Sequence, residues 1–293
     1  RNLRHIAGGC SLAKEYYMYP YFEILGRTVG SYAVCAFIGI FVCAFAARRL
    51  SKRSGILFED IILVILTVGG GVLAGGHLLY AVTNADKLFA LFAATAKSIK
   101  NGTFSFSRLF SGLQTCFGGS VFYGGFIGAF IALSIYIKVT EFEKKDLLTD
   151  IFAVCVPLFH AFGRIGCFLG GCCYGIKSSF GFTAHNPLLP ELNGVRRFPV
   201  SLLESAFNFL LALFLALLFK KHIKSGKLIY VYMVTYPIGR FFFEFLRGDA
   251  VRGTFLCFST SQWISIFIFA YGAFMLAKEK RCTKKRDITA RTN

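Results

Sequence analysis

The stretch that decides the fold is His160–Gly175, HAFGRIGCFLGGCCYG, which places Arg164 inside an apolar run that begins near Leu147. A cation at bilayer depth costs about 2.5–3.5 kcal/mol on insertion scales. Such a residue is retained where it faces the protein interior or a watery cavity. The glycines around Arg164 let another backbone or a ligand approach closely. We therefore interpret this segment as part of a functional site embedded in a membrane.

The composition supports a membrane protein throughout. Of the 293 residues, 55% are hydrophobic and 16% are charged, whereas about 25% are charged in a typical soluble domain. The cations behind the net charge of +18 cluster beside apolar stretches, which fits anionic lipid headgroups and topology. No basic stripe interleaved with aromatic residues lies outside those stretches, so we exclude a nucleic-acid partner.

Seven stretches are apolar over about the 20 residues that cross a bilayer. They cover approximately residues 29–47, 56–82, 121–137, 147–169, 199–219, 228–246 and 261–277. Basic residues follow the first, third, fifth and seventh, so the positive-inside rule predicts an N-terminus outside and a C-terminus inside. The segment 86–117 is too polar to span and is predicted to be an interfacial, partly helical element on the outer leaflet. We predict an all-α integral membrane protein with one membrane domain, 1–277, and a basic cytoplasmic tail, 278–293.

Two predicted helix faces carry polar groups at the spacing i, i+4, i+7: His160, Arg164 and Cys167 in the fourth span, and Arg240, Glu244 and Arg247 in the sixth. In the predicted topology both groups lie in the outer halves of their spans. An arginine offers a fixed fork of donors that suits phosphate. Paired arginines at similar depth therefore predict an outward-facing site for an anionic phospholipid. The alternative is structural: a small-residue packing face, a buried Arg164 satisfied by a carboxylate, and an Arg240–Glu244 pair that neutralises itself.

Two further residues are candidates from their positions alone. Glu204 is a carboxylate inside the fifth span and a possible partner for one arginine. Tyr32 opens the first span near its outer end, where an aromatic belt residue is also expected.

The cysteines near Arg164 raise the question of a metal. Cys167, Cys172 and Cys173 have the spacing C-x4-C-C, which does not match the usual C-x2-C pairs of zinc sites. We therefore expect no metal. The alternatives are a disulfide to Cys116 or Cys257 on the oxidising side, and helix packing for Cys167.

These motifs resemble those of the prolipoprotein diacylglyceryl transferases of bacterial plasma membranes. The matching positions are Tyr32 in the first span, Gly124 and Gly125 in the third, Gly163, Arg164, Gly166, Phe168 and Gly175 in the fourth-span signature, Phe198-Pro199 through Glu204, and Arg240, Glu244, Phe245 and Arg247 in the sixth. The correspondence covers approximately residues 21–277, with the seven-span, N-out topology of that family.

The resemblance implies a reaction and a set of roles. The diacylglyceryl group of phosphatidylglycerol would move to the thiol of the lipobox cysteine in a prolipoprotein signal peptide, with release of glycerol 1-phosphate and no cofactor. Arg164 and Arg240 would hold the phosphate and stabilise leaving-group charge, Glu244 would orient Arg240, and Tyr32 would contact lipid or act near the reacting centre. The implied substrate-binding set is His160, Gly163, Cys167, Gly175, Tyr123, Gly124, Gly125, Glu204 and Arg247.

Three positions depart from the family pattern. Cys167 stands where the family has Asn, Cys172 where it has an acid, and Tyr123 where it has a His before the Gly-Gly pair. If that His is a general base for the acceptor thiol, a tyrosine, with an ordinary pKa of about 10, is a poor replacement. Two alternatives stay open: the same donor with a glycan or lipid acceptor, and a non-catalytic lipid or anion transporter. The chain has no internal repeat of the kind common in transporters.

Overall fold

The computed structural model describes residues 15–17, 19–24, 26–119, 121–185, 193–221, 226–249 and 254–292. The chain is mostly helical there. The helices are α1 Ser31–Ser54, α2 Phe58–Thr83, α3 Ala85–Lys100, α4 Phe106–Phe117, α5 Phe122–Val139, α6 Lys145–Gly170, α7 Val200–Lys220, α8 Leu228–Phe243 and α9 Thr260–Thr292. The chain forms two compact units, one of Arg1–Ala47 with Asp146–Asn293 and the other of Arg48–Lys145.

Five helices in the described part of the chain are long and apolar enough to cross a membrane. They are Ser31–Lys52 within α1, α2, α6, α7 and Thr260–Glu279 within α9. The apolar part of α5, Gly124–Val139, is shorter. Helix α8 has 16 residues, and a rise of about 1.5 Å per residue makes it roughly 24 Å long. The count of seven spans and the orientation therefore stay predictions.

Short strands, which the predicted all-α class omits, lie outside the long apolar helices. They are β1 Glu15–Tyr17, β2 Tyr21–Ile24, β3 Arg27–Gly30, β4 Lys177–His185, β5 Arg196–Arg197, β6 Thr254–Phe255 and β7 Phe258–Ser259. Strand β4 pairs parallel with β1 and antiparallel with β5, and β2–β3 and β6–β7 are antiparallel pairs. These segments are too short or too polar to cross a membrane. Their backbone N–H and C=O groups find hydrogen-bond partners in neighbouring strands.

In the second unit, glycines bring two apolar helices into close contact. A Cβ atom added to Gly75 of α2 would collide with the carbonyl oxygen of Gly124 in α5, and one added to Gly71 would collide with that of Gly128. Small residues permit this approach between helices in lipid. The third-span glycines are thus a packing surface.

The segment predicted to be interfacial folds as the two helices α3 and α4. Helix α3 has no buried residue, and α4 has only Cys116. Exposed aromatic side chains include Phe89, Phe92 and Phe106. The helical part of the prediction is confirmed, and the position on the outer leaflet stays a prediction.

Helix α6 is the most buried of the candidate spans, because half of its apolar window is buried while the windows of the other four are 17–33% buried. Buried polar groups join it to its neighbours. The carboxylate of Asp150 accepts hydrogen bonds from the backbone N–H groups of Gly226 and Leu228 at 2.8 and 2.9 Å, where α8 begins. The hydroxyl of Ser205 in α7 donates to the carbonyl of Ala161 at 2.9 Å.

Replacing Asp150 with alanine is expected to destabilise the start of α8. Two backbone N–H groups would lose their acceptor at a buried site, and each such loss costs about 1–3 kcal/mol. Asp150→Ala should lower the unfolding temperature in detergent, and Asp150→Asn should lower it less, since its single carbonyl oxygen still accepts. The exposed Glu143→Ala is the control. Equal unfolding temperatures for Asp150→Ala and the control would contradict this account.

Candidate functional site

The carboxylate of Glu204 lies among three guanidinium groups. Its Oε2 atom is 2.5 Å from Nε of Arg164, and its Oε1 atom is 3.9 Å from Nη1 of Arg240 and 3.8 Å from Nη1 of Arg247. Glu204 is 2% exposed. The structure therefore brings together the arginine of the fourth span and both arginines of the sixth, and the carboxylate that joins them comes from the fifth. The suggested pairing of Glu204 with one arginine is confirmed and extends to three.

Helix α7 is fixed so that Glu204 faces α6. The helix begins after Pro199, a residue that cannot donate a backbone hydrogen bond. One turn before and one residue after Glu204, two serines bond to neighbouring backbone: Ser201 donates to the carbonyl of Cys173 and Ser205 donates to that of Ala161, both at 2.9 Å. These bonds set the rotation and the height of α7 against α6.

Arg240 and Arg247 are each held by a second acid. Arg240 contacts Glu244 through Nη2 at 2.6 Å and donates to the hydroxyl of Ser261 at 3.0 Å. Arg247 forms a two-pronged pair with Asp249, with Nε and Nη2 at 2.9 and 2.7 Å from the two carboxylate oxygens. Burial is the largest single effect and lowers the pKa of Arg247, but the hydrogen bonds and charge of Asp249 together with the neighbouring Cys173 outweigh it, so the pKa of Arg247 lies above its ordinary value.

Sequence reasoning missed Asp249 and Ser261 as parts of the site. Asp249 could have been found, because it lies two residues after Arg247 in the same polar turn. Ser261 could not, because it is distant in sequence and is brought to Arg240 only by the packing of α9 on α8.

Arg164 is held by one edge of its guanidinium. Its Nε atom donates to Nε2 of His160 at 3.2 Å and faces Glu204. The contacts that the structure shows for the Arg164 guanidinium are made through Nε, and the side chain is 12% exposed. His160 therefore orients Arg164, as the shared helix face predicted, and leaves the outer edge of the guanidinium able to bind a ligand.

Two buried donors of this cluster lack acceptors. Nη1 of Arg240 and Nη1 of Arg247 have no hydrogen-bond partner within the described part of the chain, since Oε1 of Glu204 is too far for a hydrogen bond. A buried donor left without an acceptor costs about 1–3 kcal/mol, and such groups in native proteins call for an explanation. An oxygen-rich anion placed between the guanidinium groups would supply the acceptors.

Tyr32 lies against the glycine face of α6. A Cβ atom added to Gly166 would be 2.9 Å from Cα of Tyr32, and one added to Gly163 would be 3.7 Å from its hydroxyl. Tyr32 is 51% exposed, and its phenol is within electrostatic range of Arg164. The glycines thus let the first turn of α1 approach Arg164 and place Tyr32 at the exposed side of the site.

Gly175 serves the site through its backbone. A Cβ atom there would collide with the carbonyl oxygen of Phe198. The neighbouring residues pair with the segment after α8: Ile176 N–H donates to the carbonyl of Leu246, and Gly248 N–H donates to that of Tyr174, both at 3.0 Å. This pairing holds Arg247 next to the end of α6, so the predicted role of Gly175 in the site is an indirect one.

The three cysteines at the end of α6 converge. The sulfur atoms of Cys167, Cys172 and Cys173 all lie within 4.8 Å of one another, an arrangement that the spacing argument did not anticipate. Hydrogen bonds from the Cys167 and Cys172 thiols, with the nearby guanidinium of Arg247, lower the pKa of the Cys173 thiol below its ordinary value. The disulfides considered with Cys116 or Cys257 are absent, because both of those described cysteines are free thiols.

Three predicted substrate-binding residues belong to the second unit. Gly124 packs closely against Gly75, and Gly125 packs against Val72. The side chain of Tyr123 lies outside the described part of the structure. Their predicted roles in substrate binding stay predictions.

Comparisons with known proteins agree with these motifs. The profile of the family described as prolipoprotein diacylglyceryl transferase matches residues 20–278. A phosphatidylglycerol–prolipoprotein diacylglyceryl transferase of Clostridium tetani is 35% identical over 87% of this chain and 94% of its own length. A protein of Clostridium perfringens, named as the second transferase of this kind, is 34% identical over 86% and 92%. A relative in Clostridium novyi with the same activity in its name is 27% identical over 88% and 94%.

Removing the charge of Glu204 is expected to destabilise the first unit. Glu204→Gln leaves three guanidinium groups around a neutral amide, and breaking a buried ion pair at one partner costs about 3–5 kcal/mol. The unfolding temperature in detergent should fall clearly. The matched control is Glu279→Gln, which breaks a pair with Lys227 in which the glutamate is 43% exposed. Glu204→Gln as stable as this control would refute the central role of the carboxylate.

Proposed function

Because the chain belongs to the prolipoprotein diacylglyceryl transferase family, we propose that it transfers the diacylglyceryl group of phosphatidylglycerol to the lipobox cysteine thiol of prolipoproteins. The by-product is glycerol 1-phosphate. The observation that carries the assignment of the site is the cluster of Arg164, Arg240 and Arg247 around Glu204, in which buried donors of Arg240 and Arg247 have no acceptor among the described residues.

The cluster suits the phosphate of the donor lipid. Glu204, Glu244 and Asp249 each hold an arginine by one edge, which fixes the guanidinium group and leaves another edge for a ligand. The terminal nitrogens of Arg164 and the Nη1 atoms of Arg240 and Arg247 would bind the two non-bridging phosphate oxygens. Fixed donors of this kind need no reorganisation when charge develops on the departing phosphate.

The chemical step is a displacement at carbon. The acceptor thiol releases its proton to water, and its sulfur attacks the carbon of the diacylglycerol group that is bonded to the phosphate oxygen; a carbon–sulfur bond forms and that carbon–oxygen bond breaks. The electron pair leaves with the phosphate, which gains a negative charge that Arg164 and Arg240 stabilise, with Glu244 positioning Arg240. Tyr32, at the exposed side of the site, would contact the lipid near the reacting centre. No cofactor is needed for the phosphate to leave.

The chain is a multi-pass membrane protein, and the finer topology belongs to this proposal. Helices α5 and α8 would add two spans to the five long ones, with the N-terminus outside, the C-terminus in the cytoplasm and the bacterial plasma membrane as the location. Arg164 and Arg240 would then lie in the outer half of the bilayer, at the depth of lipid phosphates. Helices α3 and α4 would lie on the outer leaflet with their exposed aromatic side chains in lipid.

A second candidate keeps the donor and changes the acceptor. The observation that favours it is that Cys167, Cys172 and Tyr123 each depart from the family pattern, in motifs that the resemblance links to the reaction. The acceptor would then be a glycan or another lipid.

Removing the Arg164 guanidinium tests the donor site. With phosphatidylglycerol and a lipobox peptide in detergent micelles, Arg164→Ala should lower kcat/KM for glycerol phosphate release by about 100-fold or more, the loss seen when one oxyanion donor is removed. Arg48→Ala is the control, because Arg48 lies 5.0 Å from the ring of Phe58 in the other unit. Full release by folded Arg164→Ala protein would overturn the assignment.

Complementation separates the two acceptors. In a bacterial strain that lacks its own transferase, the parent chain should restore lipid-modified prolipoprotein, detected as a mass gain of one diacylglyceryl group. Failure despite good expression, with phosphatidylglycerol still consumed, would favour the non-lipoprotein acceptor. Movement of lipid without any consumption would favour a transporter.

A further inference from the structure

Three thiols that phosphate binding does not require lie beside the arginine cluster. Cys167 is in the last turn of α6, and Cys172 and Cys173 follow its end. Their sulfur atoms lie within 4.8 Å of one another. Cys167 is buried and Cys172 is exposed, so the group reaches from the protein interior to a surface from which a ligand can enter.

The backbone is built to bring these sulfurs together. After α6 ends at Gly170, Gly171 takes a left-handed φ of 74° and reverses the chain, and the N–H of Cys172 donates to the carbonyl of Cys167 at 3.1 Å. Cys173 has a φ of 56°, which non-glycine residues seldom adopt. The buried Ser201 holds that residue in place by donating to its carbonyl.

The convergence of three thiols fits a thiophilic metal ion better than a disulfide, which joins two cysteines and leaves the third without a role. In a tetrahedral zinc site the Zn–S distance of about 2.3 Å puts the sulfurs about 3.8 Å apart, which these side chains reach with small rotations. The group has three members among the residues that the structure describes. Three protein ligands with an open fourth position are typical of catalytic zinc.

We propose that Cys167, Cys172 and Cys173 bind a zinc ion whose fourth position takes the thiolate of the acceptor. This inference rests on the proposed function, since it assigns the acceptor half of the same site. Two of the three cysteines, Cys167 and Cys172, stand where the sequence departs from the family pattern described above.

The charges around the thiols are compatible with a cation, because each arginine of the cluster has an acidic partner in Glu204, Glu244 or Asp249. The guanidinium of Arg247 lies beside Cys173, and Arg164 is within electrostatic range of Cys167 and Cys173, which places the fourth position next to the proposed phosphate site.

The zinc ion would have one task, to hold the acceptor sulfur as a thiolate. The acceptor thiol releases its proton to water on binding, as a coordinating thiol does. The bound sulfur then attacks the glycerol carbon, and the carbon–oxygen electron pair leaves with the phosphate. The thioether formed is neutral and a weaker ligand than the thiolate, so it dissociates and the ion stays divalent throughout.

The test uses the full chain, purified in detergent under reducing conditions and titrated with Zn²⁺ or with Co²⁺ as a spectroscopic probe. One metal per chain is expected, with a thiolate-to-cobalt absorption band. Cys173→Ser and Cys172→Ser should weaken binding by more than the roughly 10–100-fold that loss of a second-shell group causes. Cys257→Ser, at an exposed free thiol, is the control and should bind as the parent does. Thermal unfolding confirms that each variant is folded.

Three results would overturn the metal site: no metal bound by the reduced parent chain, cobalt spectra unchanged in folded Cys173→Ser, or a disulfide between two of these cysteines in protein isolated from membranes without reductant. Transfer to the lipobox peptide should also fall on chelation and recover with Zn²⁺. These measurements distinguish failure of the proposed metal site from failure of the proposed transferase activity. A chain that binds cobalt through the cysteines but releases no glycerol phosphate retains the metal site and refutes the transferase. A chain that transfers the diacylglyceryl group fully but binds no metal refutes the metal site and retains the transferase.

Discussion

The buried carboxylate of Glu204 is the interaction on which the site depends. Three guanidinium groups, from α6, α8 and the segment after α8, would repel one another in a buried site, and each would be costly to remove from water. One carboxylate, 2% exposed and facing all three, makes their proximity tolerable. It also leaves donors unused, because Glu204 is within hydrogen-bond distance of only one of the three.

The same carboxylate links the local structures around it. Ser201 and Ser205 attach α7 to α6 on either side of Glu204, and the backbone of Gly175 pairs with the segment that carries Arg247. The proposed donor half of the site is therefore held mainly by packed helices, while the proposed acceptor half lies where α6 ends and the chain reverses at Gly171. A lipid phosphate needs hydrogen-bond donors in fixed positions, whereas a signal peptide must enter the site from outside. Packed helices meet the first need, and the turn after α6 meets the second.

Much of the site was predictable from the sequence because charge in an apolar run has few physical explanations. Arg164 and Arg240 stood out by depth, and helical spacing correctly joined Arg164 to His160 and Arg240 to Glu244. The convergence on Glu204 was only suggested, because spacing within one helix cannot say which helix faces which. The cysteine cluster was missed because spacing rules describe ligands on one regular element, whereas a left-handed turn brings Cys172 and Cys173 back to Cys167. The small sheets were missed because all the described strands except β4 have only two to four residues, which leave little pattern.

The most direct measurement is a structure of the chain determined with phosphatidylglycerol bound in a lipid nanodisc. The account predicts the phosphate within about 2.7–3.2 Å of a terminal nitrogen of Arg164 and of Nη1 of Arg240 or Arg247, with Glu204 still buried between them. A headgroup bound elsewhere, with water filling the space between the guanidinium groups, would contradict it.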